Sequence, residues 1–312
     1  MFEEYLPSVN MFRVLVLLAL SSCVFSPDFS APTSQRPLRI AMLDFGKTAT
    51  GRLVADQLAH ALVAEDRKSS AFQVMDRDQA RAAALGAGYQ GSLNMSLQEA
   101  RDLASAIGCD FFLTGDAQTL RRSPSEGPGY FEAYAAIYLV SGRTGKLISW
   151  ERVSVHRPGS DAAEKALLQE LAEPDLLLRY QKVIARAQED ESAERAATVE
   201  TTIPIVEVMS DNQINETMDV RAPRPFRRLK PPYPVTAARA EVEATVDVLI
   251  DIDARGEVGH VEIARWAGYG LDQSVIGTVK QLHFFPAMHE GIPIPIRVLL
   301  RYNFRKPPKP NR

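Results

Sequence analysis

The chain has 312 residues, of which 46% are hydrophobic and 24% charged, and a formal net charge of −3. This length allows two domains of ordinary size, and the composition is that of a globular protein. Residues 221–312 hold 15 Lys and Arg against 9 Asp and Glu, a net charge of +6, whereas the rest of the chain (21 against 30) carries −9. A basic C-terminal part can attract an acidic peptide, a membrane surface or a polyanion. Its cations are too sparse, and too rarely interleaved with aromatic residues, to indicate nucleic-acid binding.

The N-terminal segment has the pattern of a secretory signal, because an apolar run over residues 14–20 follows a basic residue. The run is shorter than the roughly 18 residues that a membrane-spanning helix needs. Leu20-Ser21-Ser22-Cys23 resembles the bacterial lipobox. This resemblance implies that Cys23 is lipidated and that residues 1–36 are a signal and tether. A plain cleaved signal, or a start at Met11, is the alternative interpretation.

Residues 37–188 are predicted to form an α/β sandwich around one mixed sheet, because strand and helix patterns alternate along them. Ser96-Leu97-Gln98-Glu99 has the pattern of a capping box, which marks the start of a helix. The predicted strands cover residues 38–45, 72–74, 111–114, 130–140 and 147–155. The predicted helices cover residues 53–62, 76–85, 96–108 and 161–188.

Three segments of this region resemble the envelope domain of CsgG, the curli-secretion lipoprotein, and of related assembly proteins. They are residues 40–45, 72–77 and 108–115. The resemblance implies the fold and a cell-envelope setting. It does not extend to secretion, because the hairpin of residues 130–155 is too short and too ordinary for a membrane strand pair.

The last quarter of the chain is predicted to be a small ββαβ domain within residues 221–312. Apolar and polar residues alternate strictly over residues 242–252, which places one face of a strand on a core. Gly256 can supply the positive φ of the turn that follows. A second strand, a helix over residues 271–282 and a final strand over residues 294–304 complete the domain.

Short motifs within this domain resemble the C-terminal domain of the TonB family. They are Tyr233-Pro234, Leu271-Asp272, Phe285-Pro286-Ala287 and Gly291-Ile292-Pro293, in this order. The resemblance implies a module without enzymatic activity that captures an extended peptide, in the family the N-terminal box of a TonB-dependent outer-membrane transporter. The chain departs from the family pattern after the second strand, where Trp266-Ala267-Gly268-Tyr269 replaces small polar residues.

The final strand is the predicted binding surface, because an edge strand can pair with a peptide through its unused backbone groups. The predicted partner-binding residues are Ile294, Ile296, Arg297, Val298, Leu299, Leu300, Arg301 and Tyr302. Arg297 and Arg301 are expected on its outer face. They either meet acidic residues of the partner or keep an exposed edge soluble.

Residues 189–220 are predicted to be a mobile linker that lets the C-terminal module search for its partner. The resulting hypothesis is a lipid-anchored, periplasm-facing envelope protein that supports transport, and it can also form a homodimer. The alternative is an assembly scaffold in which the CsgG-like domain oligomerises. The membrane helix through which TonB engages its motor is not evident in this sequence.

Other motifs carry little chemistry, and no catalytic residue, cofactor or metal is predicted. The G-x-G-x-x-G pattern of residues 86–91 follows a helix instead of a strand, so a connector is expected in place of a dinucleotide site. His283 and His289 could form a weak metal site, but two solvated histidines are expected.

Two further expectations concern single residues. Asp44 and Asp76 stand at strand ends, where a ligand could bind or a carboxylate could cap a loop; capping is expected. Cys109 is expected to be a small buried hydrophobe without a disulfide partner.

Overall fold

The computed structural model describes residues 36–69, 72–124, 127–197 and 220–306. Cys23, the predicted signal and most of the predicted linker lie outside these ranges. Residues Pro37–Arg312 form one compact unit.

Within these ranges, the strands are β1 (Leu38–Phe45), β2 (Phe72–Val74), β3 (Phe111–Arg122), β4 (Tyr130–Ser141), β5 (Leu147–Arg157), β6 (Val220–Arg221), β7 (Arg224–Pro225), β8 (Ala244–Ile252), β9 (Val258–Arg265), β10 (Phe284–Phe285), β11 (Ala287–His289), β12 (Ile292–Ile294) and β13 (Ile296–Phe304). The helices are α1 (Ala49–Ser69), α2 (Arg77–Gly86), α3 (Leu97–Ile107), α4 (Ser160–Leu171), α5 (Pro174–Ala197), α6 (Val235–Arg239) and α7 (Leu271–Val279).

The N-terminal region is built on a five-stranded sheet in the order β2-β1-β3-β4-β5. Strand β1 runs parallel to β2 and β3, while β3, β4 and β5 pair antiparallel, so the mixed sheet predicted from the sequence is confirmed. One face packs against α1, α4 and α5 through a cluster that includes Leu58, Leu167 and Tyr180. The other face carries α2 and α3.

The C-terminal region contains a three-stranded antiparallel sheet in the order β13-β8-β9, and α7 packs on it. Its core face is formed by alternate residues of the strands, among them Val246, Val248 and Val298, all at most 1% exposed. Gly256 adopts φ +87° in the turn between β8 and β9, as predicted. A Cβ on Gly256 would also lie 1.8 Å from the carbonyl oxygen of Phe284, so only glycine fits there.

Several element boundaries differ from the predictions. The single helix expected over residues 161–188 is α4 followed by α5, because Pro174 cannot continue a helix but suits its first turn. Helix α5 then runs to Ala197, so the first residues of the predicted linker are helical. Strand β3 extends to Arg122 because β4 pairs with it along its whole length.

The final strand is also shorter than expected, since it begins at Ile296. Ile294, a predicted partner-binding residue, lies in β12 and pairs with Ala287 of β11. Pro295 separates the two strands because proline has no N–H to donate to a ladder.

The N-terminal and C-terminal regions share one hydrophobic core. A single cluster joins Phe112 and Tyr138 of the large sheet and Leu103 of α3 to Val248 and Trp266 of the small one. The C-terminal module therefore packs against the first region, whereas the sequence predicted that it moves on a linker.

Candidate functional site

Strand β13 has one open side. It pairs with β8 over its whole length, from Ile296 opposite Ile252 to Phe304 opposite Ala244. Among the described residues, no strand pairs with its other side. On such an edge, every second residue directs both its N–H and its C=O away from the neighbouring strand.

The two arginines of β13 have partners within the sheet. Arg297 forms a two-point ion pair with Asp251, with Nε–Oδ1 and Nη2–Oδ2 distances of 2.5 and 2.8 Å. Arg301 binds Asp247 in the same way, at 2.7 and 2.9 Å. The hydrogen bond to Asp251 raises the pKa of the Arg297 guanidinium above its usual value. Both side chains thus brace β13 against β8, a role that neither sequence interpretation contained.

A groove lies beside β13. Its cavity has a volume of about 540 Å³. One wall is β13 itself, over residues 298–302, and the other is the proline-rich wall, defined here as residues 222–231. Leu282 and Phe284 contribute the remaining surface. Ile296, in contrast, is fully buried and does not line the groove.

The proline-rich wall leaves β13 unpaired for two reasons. Prolines at positions 223, 225 and 231 cannot donate a backbone hydrogen bond. The one short strand in the wall, β7, pairs with β10, and Phe226 N donates to His283 O at 2.8 Å. Among the described residues, no backbone hydrogen bond joins this wall to β13.

Two large aromatic side chains, one in the wall and one in β10, are exposed and do not line the groove. Phe226 is 59% and Phe285 55% exposed, and their ring centroids are 4.4 Å apart. The guanidinium of Arg224 stands 6.0 Å from the centroid of the Phe285 ring. This pair adds apolar surface near the groove that a bound partner could cover.

The Trp266–Tyr269 segment, which departs from the family pattern, holds the two regions together. The Trp266 indole Nε1 donates to Gly145 O at 3.0 Å, and the Tyr138 hydroxyl donates to Ala267 O at 3.1 Å. The Tyr269 ring lies 5.0 Å from that of Trp150. Sequence reasoning noticed the departure but did not find its role, because the contacted residues lie more than 100 positions away.

Asn94 completes this contact from the loop between α2 and α3. Its side chain donates to Thr245 O and Trp266 O, both at 2.7 Å, and accepts from Thr245 N at 3.0 Å. The Arg265 guanidinium also donates a hydrogen bond to the backbone carbonyl oxygen of Asn94 at 2.8 Å. The β8–β9 side of the small sheet is thereby held against the N-terminal region, and the open edge of β13 is its opposite side.

The remaining sequence candidates have structural roles. Asp76 caps a helix instead of a loop: at the start of α2 it accepts from Gln79 N at 2.9 Å. Asp44 forms ion pairs with Arg77 and Arg81. The G-x-G-x-x-G pattern begins at Gly86, the last residue of α2, and continues into a loop, so it follows a helix as predicted.

His283 pairs with Glu257 at 2.9 Å. In the described part of the chain, no group of three or more His, Cys, Asp or Glu residues is placed to hold a metal ion. Cys109 is partly buried against the core, and burial raises its pKa to about 12.

Comparison with known proteins matches residues 230–305 to the family model described as the Gram-negative bacterial TonB protein C-terminal. No curated protein matches the chain. Similar solved structures include the TonB C-terminal domain of Pseudomonas aeruginosa, which is 21% identical, covers 32% of this chain and 95% of that one, and has a TM-score of 0.25.

Two others are a lipoprotein of Neisseria meningitidis (15% identity, 48% and 99% coverage, TM-score 0.29) and the LpoB C-terminal domain of Salmonella enterica (14%, 38% and 82%, TM-score 0.25). The matched residues contain α6, β8, β9, α7 and β13. The C-terminal region is therefore similar to a TonB C-terminal domain, as the motifs predicted, and the likeness of residues 37–188 to CsgG stays a prediction.

Proposed function

We propose that this protein binds an extended peptide by adding it as a further strand to the open side of β13. The proposed partner is a TonB-dependent outer-membrane transporter, and the role involves no catalysis. The observation that carries the proposal is the groove along residues 298–302, where the open edge of β13 faces a wall that does not pair with it.

The dimensions of the groove suit a short peptide strand. Five residues of β13 span about 16 Å of strand, which is enough for a peptide to form several backbone hydrogen bonds. The volume of about 540 Å³ falls within the range of roughly 300–1,000 Å³ that is typical of ligand clefts. Backbone pairing would supply affinity, and the half-buried side chain of Leu300 would help to select residues of the peptide.

The ion pairs at Arg297 and Arg301 support this use of the edge. An edge strand that accepts a partner must keep its own register and twist without one. Two-point pairs to Asp251 and Asp247 hold β13 to β8 through side chains, so its outer backbone groups are preorganised. In this proposal the arginines position the strand and do not contact the peptide's acids.

A cell-envelope location follows from the same proposal, because TonB C-terminal domains act there. We further propose that Cys23 carries a lipid that anchors the chain. Among the described residues, no helix is both long and apolar enough to cross a membrane. Fractionation of wild type against Cys23→Ala tests the anchor: the variant should leave the membrane fraction, and its retention there would contradict the proposal.

The proposed strand addition can be tested with peptides alone, which leaves the fold of the protein untouched. An eight-residue peptide from a transporter N-terminal box is made in two forms, one N-methylated at its odd-numbered residues and one at its even-numbered residues. In an added strand only every second N–H points at β13. One form should therefore lose binding in fluorescence anisotropy, and the other should retain it. Equal binding of both forms, or no binding of the unmethylated peptide, would contradict the proposal.

A second candidate function is an assembly scaffold, and the position of β5 favours it. Strand β5 ends the order β2-β1-β3-β4-β5, and no described strand pairs with its outer side. Deleting residues 221–312 is a poor test, because it would expose the core shared with Tyr138. Light scattering of the intact chain is a better one: a defined oligomer that persists with saturating peptide supports the scaffold, and a monomer at micromolar concentration contradicts it.

A further inference from the structure

The groove beside β13 is lined by charge of one sign. Five basic side chains line it, and none of the described lining residues is Asp or Glu. The basic residues are Arg224, Arg227, Arg228, Lys230 and Arg301. A cleft with apolar walls and charges of one sign focuses its field on any ligand that enters.

The charges are not equivalent. Arg301 is matched by Asp247, whose side chain is only 7% exposed, so this cation contributes little to the field in the groove. The other four belong to the proline-rich wall, and all four residues are exposed. The positive charge that an added strand would meet is therefore carried by the proline-rich wall, by residues such as Arg227 and Lys230.

The shape of the site separates a peptide from a membrane surface. The apolar residues Leu282, Phe284, Val298 and Leu300 lie in the recess, not on a protruding or flat face. A lipid surface would need those side chains to project outward. An extended chain can enter the recess and place alternate side chains on the apolar surface and the cationic wall.

We infer that the strand recognised by β13 is acidic, with carboxylates on the side that faces the proline-rich wall. This inference rests on the proposed function and adds the chemical class of the peptide to it. Exposed opposite charges steer association and fix register more than they add affinity, so the selectivity should be moderate and should depend on salt.

The test uses one blocked eight-residue Val/Thr peptide with two glutamates, two glutamines or two lysines at the same two positions. At low salt, the glutamate peptide should bind the intact protein about tenfold more tightly than the glutamine peptide, and this advantage should shrink in 0.5 M salt. The double variant Arg227→Glu/Lys230→Glu leaves two cations and two carboxylates on the wall, so the advantage of the glutamate peptide should be lost.

Lys165→Glu is the matched control, because Lys165 is exposed on α4 and lies outside the groove. It should leave the order of the three peptides unchanged. Equal binding of the three peptides to the wild-type protein would overturn the inference and leave strand addition standing. If the wild-type protein bound none of them, both proposals would be contradicted. A third outcome would also overturn the inference: the wild-type protein binds anionic vesicles but not the glutamate peptide, and the double variant no longer binds the vesicles. The cations would then serve a membrane surface.

Discussion

The side-chain amide of Asn94 pairs with the backbone of Thr245 in both directions, donating to its carbonyl oxygen at 2.7 Å and accepting from its N–H at 3.0 Å. Thr245 lies near the start of β8, so a loop residue of the N-terminal region acts as a strand partner for the C-terminal sheet. The same amide also donates to Trp266 O. Three backbone groups at the contact between the regions thus depend on one side chain.

Replacing Asn94 with alanine should destabilise the whole unit. The change leaves Thr245 N, Thr245 O and Trp266 O without this partner, and a buried polar group without a partner costs about 1–3 kcal/mol. We expect a loss of about 2–4 kcal/mol in the free energy of unfolding, measured by urea denaturation. Gln90→Ala, an exposed change in the same loop, should cost less than about 0.5 kcal/mol. Equal effects of the two changes would contradict the role of Asn94.

Two glycine substitutions should have opposite effects. Gly268 has φ +71°, and an added Cβ would lie 2.7 Å from Tyr138 Cε1 and 2.8 Å from Trp150 Cδ1. Gly268→Ala should therefore cost about 2–4 kcal/mol, from backbone strain and overpacking together. Gly277 is in α7 with nothing within 4 Å, so Gly277→Ala should stabilise by about 0.5–1 kcal/mol. A tolerated Gly268→Ala would show that the contact between the regions is loose.

Asp272 should make stability depend on pH. Burial raises the pKa of its carboxyl group to about 6. The N–H groups of Ala267 and Gly268, which donate to the carboxylate at 2.9 and 2.8 Å, lower the pKa but only partly offset the effect of burial. Between pH 4 and 6 the folded state then holds a proton that the unfolded state has released, so stability rises as the pH falls. From pH 7 to 5, wild type should gain about 1 kcal/mol more than Asp272→Asn. The same pH dependence in both proteins would assign the effect to another group.

Cys109 should react slowly with thiol reagents in the folded protein. Burial, with a smaller contribution from Asp110, raises its pKa to about 12, so little thiolate exists at pH 8. In a Cys23→Ser background, we expect modification in native buffer to be at least about a hundredfold slower than in urea. Rapid native labelling would mean that this part of the core opens readily.

The parts of the fold that follow from local pattern were predictable. The alternation in β8 and β13, the positive φ at Gly256 and the capping box at Ser96 are properties of short segments, and the structure confirms each of them. In the capping box, Glu99 N donates to Ser96 Oγ at 3.2 Å and Ser96 N donates to Glu99 Oε2 at 2.7 Å.

The parts that depend on distant contacts were not predictable from the sequence. Asn94 lies in a loop whose pattern indicates only a connector, and its partners are 151 and 172 positions away. Trp266 stands out as unusual for the family, but nothing local indicates which surface covers it. The position of the proline-rich wall beside β13 was not predictable either, because it depends on the pairing of β7 with β10.

The most direct test of the central claim is amide hydrogen exchange of residues 298–302 in the intact protein, with and without the transporter peptide. Strand addition predicts that alternate amides of β13, those that point away from β8, gain protection when the peptide binds. Peptide binding that leaves these amides unchanged, with new protection on β5 or elsewhere, would contradict it.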